Sequence, residues 1–129
     1  METFDVKTRR RTEFVTVTRE VEAIVAKSGV QDGVCTVFVP HTTAAVTINE
    51  NADPSVQADI VMELNKIVPM QDGYTHTEGN SAAHIKSAMV GASAQVIVEG
   101  GKLALGIWQG IYFCEFDGPR SRKVYVQVQ

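Results

Sequence analysis

Hydrophobic and polar residues alternate along four short stretches of the chain, as they do in strands that bury one face. These stretches are TFDVKT, TEFVTVT, GVCTVFVP and TAAVTINE. Between the second and the third the period changes, because Val21, Ile24 and Val25 fall at helical spacing in TREVEAIVAKSG. Gly29 ends this segment and suits the left-handed position after a helix. Residues 3–50 are therefore predicted to form two strands, a helix and two further strands.

Two more helices are predicted between residues 53 and 91. In DPSVQADIVMELNKIVP, Asp53 suits the N-cap and Pro54 the first helical position, where its missing N–H costs nothing. An apolar stripe follows along one helix face, made of Val56, Ile60, Leu64 and Ile67. Pro69 ends this helix. The segment NSAAHIKSAMVG predicts a third helix that begins at Asn80 or Ser81.

The C-terminal third is rich in predicted strands. In SAQVIVEGGKLALGIW, Gly100 and Gly101 suit a two-residue hairpin turn that sets Glu99 opposite Lys102. The chain as a whole is predicted to be a single α+β domain over residues 1–129. Its architecture is a mostly antiparallel, β-sandwich-like sheet assembly with about three helices.

A second hairpin is predicted in QGIYFCEFDGPRSRKVYVQV, with its turn at residues 117–120 and Glu115 opposite Arg122. Arg120 and Arg122 then share one strand face with Val124, Val126 and Val128. Charges on an apolar face are costly unless they are paired, and Glu115 can balance only one of the two. The other arginine is therefore predicted to bind phosphate. A purely structural Glu115–Arg122 bridge is the alternative interpretation.

The opposite face of this predicted hairpin is also apolar, with Tyr112, Cys114, Phe116 and Tyr125. A strand pair that is apolar on both sides needs two covering layers. We expect helices over one face and a neighbouring subunit over the other, so the sequence predicts an oligomer.

Composition narrows the class of protein. The 129 residues carry a formal net charge of −3, which argues against a general nucleic-acid binder. The basic run Lys7–Arg11 is interpreted as a solvated turn between strands, with a nucleic-acid contact as the alternative. Cys35 and Cys114 lie in apolar runs outside any CxxC pair, which favours buried free thiols over a zinc site or a disulfide. With no apolar signal region or membrane-spanning run, we expect a cytoplasmic protein without membrane contact.

The three histidines lie at the ends of predicted elements. His41 follows a strand, His76 lies in a loop, and His84 lies on the polar face of the third helix. With Glu50 as the leading carboxylate, these imidazoles can converge on zinc or a similar cation, or transfer protons near neutral pH. No HExxH or HxH pattern is present, so a structural role at a turn stays open for each histidine. A second candidate feature is the helix start at Asn80, where free N–H groups favour phosphate.

Three blocks of the sequence resemble those of the YjbQ family. They are HTTAAVTINENADPSVQADI, HTEGNSAAHIKSAMVG and SAQVIVEGGKLALGIWQGIYFCEFDGPRSR. One departure is Ile107, where the family usually has threonine before Trp108 and Gln109. The resemblance implies a compact, sandwich-like α+β subunit that assembles as a homotrimer. It also implies a pocket of histidine, acidic and arginine motifs that holds a metal ion in some members.

The activity implied by the resemblance is a secondary thiamine-phosphate synthase, which joins hydroxymethylpyrimidine diphosphate to a thiazole phosphate and releases pyrophosphate. The implied catalytic residues are His41, His84 and Glu50. The implied ligands of a divalent metal ion, zinc or magnesium, are His41, His76 and His84. The implied phosphate-binding residues are Asn80, Ser81, Arg120 and Arg122. Trp108 would pack against a heteroaromatic ring, or lie in an interface or the core.

Two other functions fit the same residues. One is a metal-dependent hydrolase of a small phosphorylated metabolite, and the other is a trimeric metabolite-binding protein without catalysis. Product formation separates the enzymes from the binding protein, and the product itself separates the two enzymes.

Overall fold

A computed structural model describes residues 1–129 and contains eight β-strands and three α-helices. In chain order they are β1 (Glu2–Lys7), β2 (Glu13–Thr16), α1 (Thr18–Ser28), β3 (Asp32–Phe38), β4 (Ala44–Glu50), α2 (Pro54–Ile67), α3 (Ser81–Val90), β5 (Ser93–Glu99), β6 (Lys102–Leu103), β7 (Gln109–Glu115) and β8 (Ser121–Val128). Each predicted strand and helix is present, although β6 is shorter than the segment KLALGIW suggests.

The strands form two sheets with antiparallel pairing throughout. The larger sheet has five strands in the order β1-β8-β3-β5-β6, and the smaller has three in the order β2-β7-β4. The main core lies between the two sheets and α1. Its 15 buried residues include side chains from both sheets and from this helix. The predicted α+β, sandwich-like architecture with three helices is confirmed.

Local signals in the sequence place the element ends correctly. Gly29 follows α1 with φ = 73°, a left-handed conformation that favours glycine. The Asp53 carboxylate accepts the Ser55 N–H at 2.9 Å and so caps α2. Gly100 and Gly101 turn the β5–β6 hairpin, with Glu99 opposite Lys102 as predicted.

The predicted hairpin of β7 and β8 is wrong, because the two strands belong to different sheets. β7 pairs with β2 and β4, whereas β8 pairs with β1 and β3. Residues 117–120 carry the chain from one sheet to the other. Gly118 permits the close passage, since an added Cβ would lie 2.3 Å from the Arg10 carbonyl oxygen. Glu115 and Arg122 still meet, but they do so between the sheets and not as cross-strand neighbours.

The second apolar face of β7 is covered within the same chain. Tyr112, Cys114 and Phe116 pack with Ala83 of α3 in a smaller core, and Leu64 of α2 lies against it. The predicted helix layer over one face is therefore confirmed for β7. A neighbouring subunit over its other face was expected, and for β7 this is wrong, because Ile111 and Phe113 on that face pack in the main core.

The outer helix α2 is only partly packed, since none of its residues is fully buried. Under this helix, Lys86 of α3 is 2% exposed and donates a hydrogen bond to the side chain of Asn65 of α2. The Lys86 Nζ lies 6.0 Å from the centroid of the Phe116 ring. Burial lowers the pKa of Lys86. The longest helix is α2, with 14 residues, and no helix has both the length and the hydrophobicity that crossing a bilayer requires.

The outer face of the five-stranded sheet has no covering layer over two apolar cross-strand pairs. Val34 of β3 lies opposite Ile97 of β5, and their exposed fractions are 37% and 65%. Phe38 of β3 lies opposite Tyr125 of β8, with the rings stacked at a centroid distance of 6.3 Å. Apolar groups of this size on one sheet face are typical of a subunit contact.

We propose from the resemblance and this uncovered face that the chain forms a homotrimer in solution. Light scattering should give a mass roughly three times the 14.1 kDa of one chain. Ile97→Lys should lower that mass, because a charge would enter the apolar contact, whereas Met62→Lys on α2 should not. A monomer mass for the unsubstituted protein at micromolar concentration would contradict the proposal.

Candidate functional site

A polar cleft of about 710 Å³ opens where β3 and β7 end and where β4, β8 and α3 begin. It lies beside the segment that joins the two sheets. Its lining consists of Phe38, Val39, Pro40, His41, Thr42, Thr43, His76, Glu78, Asn80, His84, Ala92, Asp117, Arg120 and Arg122. The structure thus brings together six of the residues selected from the sequence: His41, His76, His84, Asn80, Arg120 and Arg122. Ser81 lines an adjoining pocket with His76 and His84.

Two residues selected from the sequence lie elsewhere. Glu50 is the last residue of β4, at the strand end opposite the cleft, and its carboxylate accepts the Ala52 N–H at 2.8 Å. Trp108 lies beside this strand end, because its carbonyl oxygen accepts the Asn51 N–H at 2.9 Å. Trp108 is 62% exposed. Glu50 therefore stabilises a loop, and neither residue reaches the histidines of its own chain.

The floor of the cleft is a buried ion pair between Arg122 and Glu115, whose exposed fractions are 5% and 0%. The Arg122 guanidinium donates to both carboxylate oxygens of Glu115 and, at 2.8 Å, to the Thr43 hydroxyl. Glu115 also accepts the Thr8 hydroxyl at 2.8 Å and the Asp117 N–H at 3.0 Å. Burial alone would raise the pKa of Glu115, but these hydrogen bonds together hold that pKa below its ordinary value.

One end of the Arg122 guanidinium stays available for a ligand. Its hydrogen bonds within the protein come from Nε and Nη2. Nη1 makes no hydrogen bond within the protein, and the Arg122 side chain lines the cleft, so its N–H groups can bind a ligand there. Arg122 therefore combines a structural ion pair with a cationic donor at the floor.

Arg120 is paired and exposed, so the prediction of an unpaired, buried arginine is wrong. Its Nε donates to the Asp117 carbonyl at 2.8 Å and its Nη2 donates to the Asp117 carboxylate at 3.0 Å. The Arg120 side chain is 54% exposed because it precedes β8 and does not share the inward face of Arg122. Its remaining N–H groups face water at the cleft, where a phosphate oxygen can replace that water.

Asp117 connects the two sides of the cleft, and it was not among the site residues predicted from the sequence. Its carboxylate, 12% exposed, accepts from Arg120 and from the Asn80 amide at 3.0 Å, and it lies 3.5 Å from Arg11. Asn80 occupies the cap position of α3, but its side chain makes no capping bond because it points to Asp117. The available signal was the position of Asp117 between Glu115 and Arg120. In the predicted hairpin it was only a turn residue.

His41 completes a sheet edge. β3 ends at Phe38, which lies opposite Tyr125, so the next free N–H of β8 belongs to Lys123. The His41 Nε2 accepts that N–H at 2.9 Å. Only an unprotonated nitrogen can accept, so the proton of the neutral ring is on Nδ1. Burial and the nearby Arg122 charge lower the pKa of His41, which favours this neutral form.

His76 and His84 form the opposite wall. Their rings meet edge to face with a centroid distance of 5.4 Å, and His76 Nε2 lies 3.9 Å from the Glu78 carboxylate. Glu78 was not selected from the sequence, and no local pattern distinguishes it from an ordinary loop carboxylate. Neighbouring imidazoles with a carboxylate within reach can serve as hydrogen-bond and proton-transfer groups for a bound ligand.

The side chains do not form a preformed metal centre. No set of three or more histidine, cysteine, aspartate or glutamate side chains is arranged to hold an ion. His41 uses Nε2 for the Lys123 N–H, and its Nδ1 carries the proton, so it has no free lone pair. Binding of a zinc or magnesium ion by His41, His76 and His84 stays a prediction, and it would require this hydrogen bond to break.

The family model described as UPF0047 protein YjbQ-like matches residues 2–129. The UPF0047 protein YugU of Bacillus subtilis is 50% identical over 99% of this chain and 98% of its own. A UPF0047 protein of Methanocaldococcus jannaschii is also 50% identical, over 97% of this chain and 91% of its own.

Solved structures agree with the fold. A crystal structure of an uncharacterized conserved protein of the YjbQ/UPF0047 family from Clostridium acetobutylicum has a TM-score of 0.99 and 53% identity, with all of both chains covered. A YbjQ-like protein of unknown function from Sulfolobus solfataricus has a TM-score of 0.95 and 35% identity, over 98% of this chain and 94% of its own.

The buried ion pair generates a stability prediction. Glu115→Gln removes the partner charge and leaves the buried Arg122 guanidinium uncompensated, so we expect a loss of about 3 kcal/mol or more in the free energy of unfolding. Chemical denaturation measures this loss. The matched control Asp5→Asn removes the surface ion pair with Lys123 and should change the free energy of unfolding very little. Equal effects of the two substitutions would contradict the assignment.

The His41 geometry generates a pH prediction. Below the ordinary imidazole pKa of 6.5 the unfolded chain takes up a proton that the folded chain resists, so His41 makes the folded state less stable as pH falls toward its lowered pKa. His41→Gln can keep an acceptor for the Lys123 N–H but cannot titrate. The variant should therefore lose less free energy of unfolding than the wild type over this pH range. If the free energies of unfolding of the two proteins changed with pH in parallel, His41 would have the same pKa in the folded and the unfolded chain, which would contradict the prediction.

Proposed function

The chain belongs to the YjbQ-like UPF0047 family, and we propose that its cleft binds the phosphate group of a small phosphorylated metabolite. The observation that carries this proposal is the convergence of Arg120, Arg122 and three histidines on one open, polar cleft. Fixed guanidinium donors bind phosphate oxygens more strongly than neutral donors do. The ligand is therefore anionic, although the chain as a whole carries a net charge of −3.

Three side chains that line the cleft can supply the donors for phosphate. Arg122 Nη1 and His41 Nδ1–H are held by their structural hydrogen bonds, and Arg120 contributes its free N–H groups at the rim. Because the first two are fixed before a ligand arrives, little conformational entropy is lost on binding. The uncapped start of α3 at Asn80 adds a partial positive charge across the cleft.

Within this proposal, thiamine-phosphate synthesis is the first reaction to test. A bond forms between the thiazole nitrogen and the pyrimidine methylene carbon, and the bond from that carbon to the pyrophosphate oxygen breaks. The arginines would stabilise the charge that develops on the departing pyrophosphate. His76 and His84 would donate or accept protons at the phosphate oxygens. A resident divalent ion, if bound, would neutralise part of the same charge.

The two alternative functions use the same anion site. A metal-dependent hydrolase has less support, because the histidines do not form a preformed ligand set. A metabolite-binding protein without catalysis shares the arginines and needs no proton transfer. The two buried cysteines are unpaired, which suits the reducing cytoplasm that we propose as the location.

Arg120→Ala tests the anion site, because Arg120 is exposed and its removal leaves the buried pair intact. Pyrophosphate should raise the melting temperature of the wild type by mass action and should have little effect on the variant. The matched control Lys27→Ala also removes an exposed ion-paired cation, in this case the partner of Glu2, and should respond like the wild type. Thermal-shift titrations of the three proteins measure this.

Equal pyrophosphate shifts in the wild type and Arg120→Ala would contradict the proposed role of Arg120. A product assay with the pyrimidine diphosphate and the thiazole phosphate follows. Coupled thiamine phosphate supports the synthase and free inorganic phosphate supports the hydrolase. Stabilisation by pyrophosphate without any product supports the binding protein.

A further inference from the structure

The loop between β6 and β7, residues 104–108, presents two large apolar side chains to solvent, and we refer to it as the tip loop. Ile107 is 84% exposed and Trp108 is 62% exposed. The loop is nevertheless well ordered by hydrogen bonds. Gln109 closes it through its side chain to the Gly106 N–H at 2.8 Å and through its own N–H to the Gly106 carbonyl at 3.0 Å. Asn51 fixes the C-terminal end of the loop, since its backbone N–H donates to the Trp108 carbonyl and its side-chain amide donates to the Gln109 carbonyl.

A rigid loop with an exposed tryptophan is typical of a protein-binding anchor. Tryptophan is enriched among the residues that contribute most to interfaces, and an ordered loop loses little entropy on docking. Leaving two such side chains in water has no structural benefit within the single chain, because neither contributes to either core.

The tip loop cannot serve the cleft of its own chain. Along β4 and β7, Glu50 lies opposite Gln109 and Ala44 lies opposite Glu115. These two pairs are six residues apart, which corresponds to about 20 Å along a strand. Trp108 lies next to the first pair and the cleft lies next to the second, so its indole is too far from the cleft to reach it.

The cleft rim offers a matching surface. Phe38 lines the cleft, is 43% exposed, and stacks on Tyr125. We call these two side chains the aromatic rim. The remaining lining is mostly polar, so the cleft of one chain provides little apolar surface against which a heteroaromatic ring could pack.

The two ends of the molecule also differ in charge. At the tip-loop end, α1 begins at Thr18, whose hydroxyl accepts the Ile111 N–H at 2.9 Å. This end carries four carboxylates, Glu20, Glu22, Glu50 and Asp53, against the single arginine Arg19. The cleft end carries the exposed arginines Arg9, Arg10, Arg11 and Arg120 against the carboxylates Glu13, Glu78 and Asp117, which leaves a small excess of positive charge. An end with excess negative charge and an apolar anchor complements an end with excess positive charge and an aromatic rim when two copies meet head to tail.

We infer that the tip loop of one copy docks on the aromatic rim of a second copy, so that Trp108 becomes part of the neighbouring cleft. The inference rests on the proposed function, because the completed cleft is the phosphate site with an added indole surface. A head-to-tail contact joins different surfaces of the two copies and can be satisfied for every copy in a closed ring. The ligand class is then a phosphorylated heteroaromatic compound, whose ring packs on Trp108 while its phosphate binds the arginines.

Trp108 is the single tryptophan of the chain, so intrinsic fluorescence reports on it alone. In the wild type we expect blue-shifted emission and several-fold weaker acrylamide quenching than in Ile107→Asp, where a carboxylate on the tip loop prevents docking. Met62→Asp, at another exposed apolar position on α2, is the matched control and should behave like the wild type. Equal quenching in the wild type and Ile107→Asp would overturn the inference.

Pyrophosphate titrations link docking to the cleft. The charge of bound pyrophosphate should change the Trp108 emission of the wild type, because in the docked arrangement the anion lies beside the indole of the neighbouring copy. This response should disappear in both Arg120→Ala and Ile107→Asp, whereas the thermal shift should disappear only in Arg120→Ala. Stabilisation of the wild type without an emission change would overturn the inference and leave the proposed function standing. Weak quenching of the wild type without any stabilisation would support docking and contradict the phosphate site.

Discussion

The ion pair between Arg122 and Glu115 is the contact on which the cleft depends. It joins the beginning of β8 in one sheet to the end of β7 in the other, at the end where the main core closes. A buried pair of this kind often adds little net stability, because desolvation offsets the attraction between the charges. Here its main effect is geometric. Two directed hydrogen bonds between planar groups fix the separation and orientation of the sheets at the cleft, and the hydroxyls of Thr8 and Thr43 add one further hydrogen bond to each partner.

The same contact fixes the chemistry of the cleft. Because Glu115 occupies the Nε–Nη2 edge of the guanidinium and Thr43 accepts from Nη2 as well, Nη1 is the group of Arg122 left for a ligand. Because β3 leaves the sheet beside this point, His41 takes over a main-chain hydrogen bond and presents Nδ1–H. Donors that serve the fold on one side and face the cleft on the other need no rearrangement to bind an anion. A substitution on the structural side would therefore affect ligand binding as well.

Local sequence signals predicted the parts of the fold that depend on neighbouring residues. Asp53 before Pro54 and the Gly100–Gly101 pair have few alternative conformations, so their positions were predicted correctly. The pairing of β7 was not predictable in this way. Alternation of side chains is the same in a hairpin and in two strands of different sheets, and only the packing of the main core distinguishes them.

The candidate site was predictable in residue type and only partly in position. The histidines and arginines lie at element ends, which are close in space once the sheets stack. Trp108 and Glu50 also lie at element ends, but at the ends of β4 and β7 that point away from the cleft. The sequence alone does not show which strand ends lie together in the fold. Asp117 was missed because its role arises only from the passage between the sheets.

The packing of α2 has a consequence for how the protein opens. None of its residues is fully buried, and its contacts include the Leu64 side chain on the smaller core, the Gln57 amide on the Glu50 carbonyl oxygen, and the Asn65 amide oxygen on the Lys86 ammonium. Units with little buried apolar surface open at a lower free energy than the whole molecule does. Amide hydrogens of α2 should therefore exchange with solvent through local opening, well before those of β7. Each such opening would bring a buried ammonium group briefly into water and restore its ordinary basicity, so the outer helix also controls when that amine can react.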